Sequence, residues 1–155
     1  MQNDLADSLE NTVREAEQML RRTPEASAAE PMAPGKWSAK QALGHLIDSA
    51  TNNHQRFVLA QINNGYEGPG YEQDKWVDIQ HYAAAPWNDL ITIWANYNLH
   101  LTRVIRVMEP DKLALPCKIE GVKGGQPVTL SDVIQDYIAH INHHIDRIRN
   151  GYEVE

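Results

Sequence analysis

The sequence predicts an all-α protein, a four-helix bundle with a long loop between its second and third helices. Four segments place apolar residues at the three- and four-residue spacing of an amphipathic helix. The breaks between these segments carry proline, glycine and helix-capping residues. Helices with one apolar stripe each bury that stripe best against one another. We expect the 155 residues to form a single domain over 1–155.

The first helix is predicted over residues 4–22. Thr23-Pro24 ends it, because the residue before a proline resists the α conformation. Its apolar stripe consists of Leu5, Leu9, Thr12, Val13, Ala16, Met19 and Leu20.

The second helix begins at Ser38, with Gln41 in the capping-box position, and runs to about residues 63–65. Its apolar arc predicts that His54 is a half-buried core residue. His45 lies on the opposite side of the helical wheel, which predicts a surface position unless the polar row there lines a cleft. That row also contains Gln41, Asp48, Ser49 and Asn52.

Residues 64–85 form a long connection that is rich in aromatic side chains. Connections of this length without regular structure are uncommon and are often functional. Two interpretations remain open: a packed connector over the bundle end, or a lid over a site, anchored by Tyr71 or Trp76. The same aromatic side chains would also suit the interface of a homodimer.

The third helix is predicted over 86–108 and ends at Glu109-Pro110. Two short apolar pieces within 111–128 flank a Gly-Gly pair and predict a small β-hairpin. Thr129, with Asp132 three residues later, caps the last helix.

The last helix carries three of the chain's seven histidines. On the helical wheel, His144 lies inside the apolar arc, His140 lies on its flank one turn away, and His143 points toward solvent. An i, i+4 pair of histidines can bring two imidazole nitrogens to one cation, as in helical zinc motifs. A core histidine beside a surface one is the alternative interpretation. Two ligands rarely hold a metal, so a metal site needs a third from elsewhere.

Composition excludes several classes of function. The formal net charge of −7 argues against a nucleic-acid partner, which requires a basic surface. No run of apolar residues is long enough to span a membrane, and residues 1–10 do not resemble a signal peptide. The single cysteine, Cys117, excludes an internal disulfide. The expected location is the cytoplasm.

Four motifs in order resemble the DinB-like superfamily: GKWS at 35–38, GHLIDS at 44–49, GYEQDKWV at 70–77 and YIAHINHH at 137–144. The chain is similar to second-type DinB domains, and to the branch of metal-dependent hydrolases and thiol S-transferases. The resemblance covers about residues 5–150.

This resemblance implies a four-helix bundle with an open metal site near one end. It implies three histidine ligands at the positions of His45, His140 and His144, and so moves His45 from the surface to a cleft wall. The expected cofactor is a divalent metal ion, Zn²⁺ or Ni²⁺ in the first place, although three imidazoles also suit iron or copper.

Such a site would activate water or a low-molecular-weight thiol for attack on a small-molecule substrate, as a hydrolase or an S-transferase does. A non-catalytic metal-binding or stress-response module is the alternative. The sequence points to no separate general base. Asp48, Asp136 and Asn52 are candidates for orienting the imidazole rings, and solvated helix-face residues are the other interpretation of them.

Overall fold

The computed structural model describes residues 1–151. The prediction of an all-α four-helix bundle is confirmed, because the first long helix packs against the third and the last, and the second packs against the same two. Two shorter helices, which the sequence did not predict, lie in the connections. In chain order the helices are α1 (Gln2–Arg22), α2 (Glu25–Ala29), α3 (Ala39–Asn63), α4 (Gln73–Ile79), α5 (Trp87–Arg106) and α6 (Leu130–Asn150).

The predicted caps begin the two helices that carry the candidate ligands. The Ser38 hydroxyl accepts a hydrogen bond from the Gln41 amide, and the Gln41 side chain accepts one from the Ser38 amide. Thr129 and Asp132 form the same reciprocal pair at α6. Each box satisfies two backbone donors that the first helical turn leaves free, so both helix starts are fixed.

Helix α3 is enclosed on every side over its first half, where each residue from 42 to 50 is buried. Its apolar face meets α5 and α6, while the connection after the helix covers the opposite face with α4 and a 3₁₀ turn at Tyr82–Ala84. A polar row on this helix therefore faces protein rather than bulk water.

A three-stranded sheet joins two connections, in the order β1 (Tyr66–Gly68), β2 (Pro116–Ile119) and β3 (Val128–Thr129). The antiparallel pair β2–β3 is the predicted hairpin. The parallel partner β1 was not predicted, and it ties residues 64–85 to the segment before α6. The long connection is thus largely ordered.

At one end of the bundle a buried lysine fastens three helices. Lys40 is 5% exposed, and its Nζ donates to Glu25 Oε1 at 2.5 Å. The other Glu25 oxygen accepts a hydrogen bond from the Trp87 amide at 3.0 Å, so Lys40 and Glu25 link α2, α3 and α5.

Among the residues that the structure describes, no helix has the length and apolar character needed to span a membrane.

Candidate metal centre

The structure brings His45 of α3 together with His140 and His144 of α6. The Nε2 atoms of His45 and His140 lie 3.1 Å apart, as do those of His140 and His144. All three ligand atoms lie within 4.8 Å of one another. His45 is buried and the two α6 histidines are half-buried, and His45 and His140 line a cleft.

These spacings suit a cation between the rings. Two imidazole nitrogens about 2.1 Å from one metal lie about 3.0 Å apart at a right angle and about 3.4 Å apart at the tetrahedral angle. The observed 3.1 Å falls between these values. Hydrogen bonding alone does not explain the cluster, because a neutral ring nitrogen either donates one hydrogen or accepts one, and His140 Nε2 faces two nitrogens.

The environment keeps these imidazoles neutral, as metal ligands must be. Burial, followed by the charge of the neighbouring His140, lowers the pKa of His45 to about 4. Burial, followed by the other histidines, lowers the pKa of His144 to about 3. Burial also lowers the pKa of His140, although the carboxylate of Asp136 opposes that shift.

The wheel-based surface placement of His45 is wrong, since the side chain is 1% exposed. The covering connection explains the error, because the ring of Tyr82 packs against α3 at Gly44. A Cβ at Gly44 would come within 2.2 Å of that ring, so the close approach requires glycine. Of the polar row on this side of α3, His45 and Ser49 line the cleft, as the motif resemblance implied for His45, whereas Asp48 is hydrogen-bonded to Tyr82.

Asp48 is buried rather than solvated. Its Oδ1 accepts hydrogen bonds from Tyr82 Oη at 2.7 Å and Gln80 Nε2 at 2.9 Å, and burial raises its pKa. Its Oδ2 and the Nδ1 of His45, one helical turn away, are both buried without a hydrogen-bond partner among the described residues. Asn52 donates to the Asp48 backbone carbonyl at 2.9 Å and orients no ring.

Trp37 forms a wall of the cluster that the wheel did not predict. Its ring centroid lies 5.1 Å from that of His45 and 6.3 Å from that of His144. The GKWS motif that precedes α3 was the sequence signal that could have found it. His143 is exposed, 5.1 Å from the His144 ring, and His54 lies elsewhere on α3, hydrogen-bonded to Tyr97.

A cleft of about 380 Å³ leads away from His45 and His140. Its floor consists of three polar residues of α3 that follow His45 at spacings of four, four and three residues, namely Ser49, Asn53 and Arg56. Residues 133–140 of α6 form one wall, and residues 70–73 and 120–122 form the rest. The helical spacing from His45 was the signal that could have found the floor residues.

The connection 64–85 therefore supplies a wall of the cleft, with Tyr71 among the lining residues. Trp76 is not an anchor, since it is 38% exposed and stacks edge-on against Tyr71 at 5.3 Å. The buried anchors of this connection are Val77 and Tyr82, which meet α3 and the core.

Comparison with known families agrees with this architecture. A profile of the DinB superfamily matches residues 8–148, which is nearly the whole chain. This chain belongs to the DinB superfamily. The resemblance seen in the four motifs is thereby confirmed.

A relative from Bacillus subtilis (strain 168) bears the name "Putative metal-dependent hydrolase YfiT" and is 22% identical over 118 residues. The match covers 76% of this chain and 65% of that relative's length. A solved structure of YfiT from Bacillus subtilis superposes with a TM-score of 0.84 at 19% identity, over 96% of this chain and 83% of the other. That protein is described as a probable metal-dependent hydrolase with an unusual four-helix bundle topology. This DinB-superfamily chain therefore shares the fold of that protein.

Proposed function

We propose that this DinB-superfamily protein is a divalent-metal-dependent enzyme acting on a small molecule, with His45, His140 and His144 as the metal ligands. The observation that carries the proposal is the convergence of the three imidazoles beside a cleft, with His140 Nε2 lying 3.1 Å from the Nε2 atoms of both His45 and His144. The name of the YfiT relative supports the same class of activity.

Three protein ligands leave coordination positions open, which is typical of a catalytic rather than a structural site. A divalent cation so held would acidify a bound water or thiol and polarise the group under attack. Zn²⁺ and Ni²⁺ both suit three imidazoles. With water as the nucleophile the protein would be a hydrolase, and with a low-molecular-weight thiol it would be an S-transferase.

The protein's own residues would position and shield the reactants. Trp37 and the buried start of α3 exclude water from one side of the imidazole cluster, and the cleft receives the substrate from the other. Asp136, on the cleft wall, favours a positive charge near His140. We assign no separate general base.

The first test is the metal itself. Protein purified without an affinity tag and stripped with a chelator is titrated with Zn²⁺ and Ni²⁺ by calorimetry. We expect one equivalent to bind the wild type. If neither Zn²⁺ nor Ni²⁺ binds, the proposal is overturned.

The second test is turnover by the loaded protein. Esters and amides report hydrolysis, and an aryl halide offered with cysteine or glutathione reports thiol transfer. Metal-dependent turnover in either arm supports an enzyme and identifies the nucleophile. Tight metal binding with no turnover in both arms, and with all coordination positions occupied by protein, would favour the non-catalytic metal-binding module instead.

A further inference from the structure

The cleft contains a buried, positively charged side chain that takes no part in the metal site, that of Arg56. Of the lysines and arginines that the structure describes, Lys40 and Arg56 are buried, at 5% and 7% exposure. Lys40 is neutralised by Glu25 at 2.5 Å. Within the described residues, Arg56 has no carboxylate at ion-pair distance.

The surroundings of Arg56 direct it toward the cleft that it lines. Its Nη2 donates to the Pro69 carbonyl at 3.4 Å, which uses one of the five guanidinium N–H donors. The nearby Tyr71 forms the facing wall. Burying a charge without a counter-ion is unfavourable, so an anion that entered the cleft and paired with Arg56 would be stabilised there.

The acidic side chains around the cleft do not serve as that counter-ion. Glu72 pairs with Lys75 at 2.7 Å, and Asp136 lies 3.9 Å from Lys123. Glu120 is exposed at the rim. The buried carboxylate of Asp48 is held by Tyr82 and Gln80 instead. The guanidinium therefore remains the positive charge on the cleft floor.

We propose that Arg56 is the carboxylate-binding subsite of the cleft, and that the substrate is an organic acid whose carboxylate meets Arg56 while its reactive group lies at His45, His140 and His144. This inference rests on the proposed function for the position of the reactive group. The planar guanidinium fork matches a carboxylate in a way that a lysine cannot.

The helix sets the length of such a substrate. His45 and Arg56 stand eleven positions apart on α3, so their Cα atoms are about 16 Å apart along the axis. Helical side chains lean toward the N-terminus, which brings the guanidinium closer to His45. The cleft volume of about 380 Å³ suits a molecule of this length and not a macromolecule.

The test uses octanoate and the neutral octanol as matched probes, by calorimetry on chelator-stripped protein and on Zn²⁺-loaded protein. We expect octanoate to bind both forms and octanol to bind neither measurably. Arg56→Gln should weaken octanoate at least about tenfold, because a charge-assisted hydrogen bond is lost. Arg56→Lys should fall between the two. The exposed Arg103→Gln is the control and should bind as the wild type does.

A second probe pair reports the span between the two sites. On Zn²⁺-loaded protein, mercaptoundecanoate should bind more tightly than mercaptoundecanol in the wild type, and the two should bind equally in Arg56→Gln. Equal binding of acid and alcohol in the wild type would overturn the subsite and leave the proposed metal function intact. Octanoate binding that depends on Arg56, in a protein that takes up no metal, would overturn the metal function alone.

Stability gives an independent readout. If Arg56 binds a ligand and does not stabilise the fold, Arg56→Met should leave the melting temperature of the stripped protein unchanged or raise it. Lys40→Met removes the partner of Glu25 and should lower it. A loss in Arg56→Met as large as that in Lys40→Met would assign Arg56 to the fold and overturn the subsite.

Discussion

Two histidines of α3, His54 and His45, each belong to a group of aromatic rings, and the two groups satisfy their ring nitrogens in different ways. His54 points its Nδ1 at the Tyr97 hydroxyl, 2.6 Å away, and packs edge-on against His100 at 5.4 Å. His45 meets the other two members of its group nitrogen to nitrogen. Both groups have rings in close contact, but only the first satisfies its ring nitrogen with a hydroxyl.

The difference shows what separates a packed histidine from a candidate ligand. Ring proximity is common to both groups, and burial lowers the pKa of His54 as it does that of His45. The convergence of three nitrogens on one point, with no hydroxyl or carboxylate between them, is found at the His45 group among the described residues. Convergence, rather than burial, is therefore the useful criterion.

The largest difference between the two groups is expected when one histidine is removed from each. His144→Ala should abolish measurable Zn²⁺ binding, a loss of at least about 100-fold, because two imidazoles rarely hold the ion. His54→Ala should bind Zn²⁺ as the wild type does, since its ring faces Tyr97. Calorimetric titration of both variants measures this.

The neighbouring His143→Ala is the closer control, because its exposed ring lies beside His144 in sequence and in space. It should retain nearly full affinity. Equal losses in His143→Ala and His144→Ala would contradict the assignment of ligands.

Acid should destabilise the metal-free protein through the His45 group. The folded pKa of His45 is about 4, below the usual 6.5, so the unfolded state takes up a proton first as the pH falls. Stability therefore declines from pH 6.5 to about pH 4, by on the order of 3 kcal/mol for this residue. Urea unfolding at a series of pH values measures the decline.

His45→Gln should flatten this pH dependence, whereas His54→Gln should change it less, because the His54 ring is half-buried and the His45 ring is buried. A wild-type stability that is constant between pH 7 and pH 4 would show that the imidazole cluster is readily protonated in the folded state.

The packing beside His45 can be tested at Gly44. Gly44→Ala forces a methyl group into the Tyr82 ring and should destabilise the fold by about 1–3 kcal/mol. Chemical unfolding measures this change. In a Tyr82→Ala background the same substitution should cost much less, because the obstructing ring is gone. Additive losses in the double variant would mean that the ring does not limit the space at Gly44.

The smallest expected effect concerns Trp76, which packs against the cleft residue Tyr71 and does not line the cleft itself. Trp76 and Ile79 are exposed on α4, so Trp76→Ala should change stability by less than about 0.5 kcal/mol. Light scattering should show a smaller species if these side chains pair two copies in a homodimer. An unchanged mass would show that Trp76 does not hold two copies together.

The apolar stripes and capping pairs foretold the four long helices because both depend on short-range sequence spacing. The burial of His45 could not be obtained in this way. A helical wheel measures polarity, and a polar row against a cleft looks the same as a polar row against water. The strand β1 was missed for a related reason: its three residues pair with β2, about 50 residues later, and carry no alternation of their own.

The family motifs corrected the helical-wheel prediction for His45, since they placed His45 with the two histidines of α6. They gave no indication of Arg56 or of the contact between Tyr82 and Gly44. Both depend on how the connection folds over α3, a contact between segments that no local pattern encodes.

The two halves of the imidazole cluster stand 95 residues apart in the chain. A cation held by both would act as a removable cross-link that closes most of the sequence into one loop. Cross-links that close long loops restrict the unfolded ensemble most, by about 4 to 5 kcal/mol for a loop near 100 residues when the link is covalent. Metal supply would then set the lifetime of the folded protein as well as its chemistry.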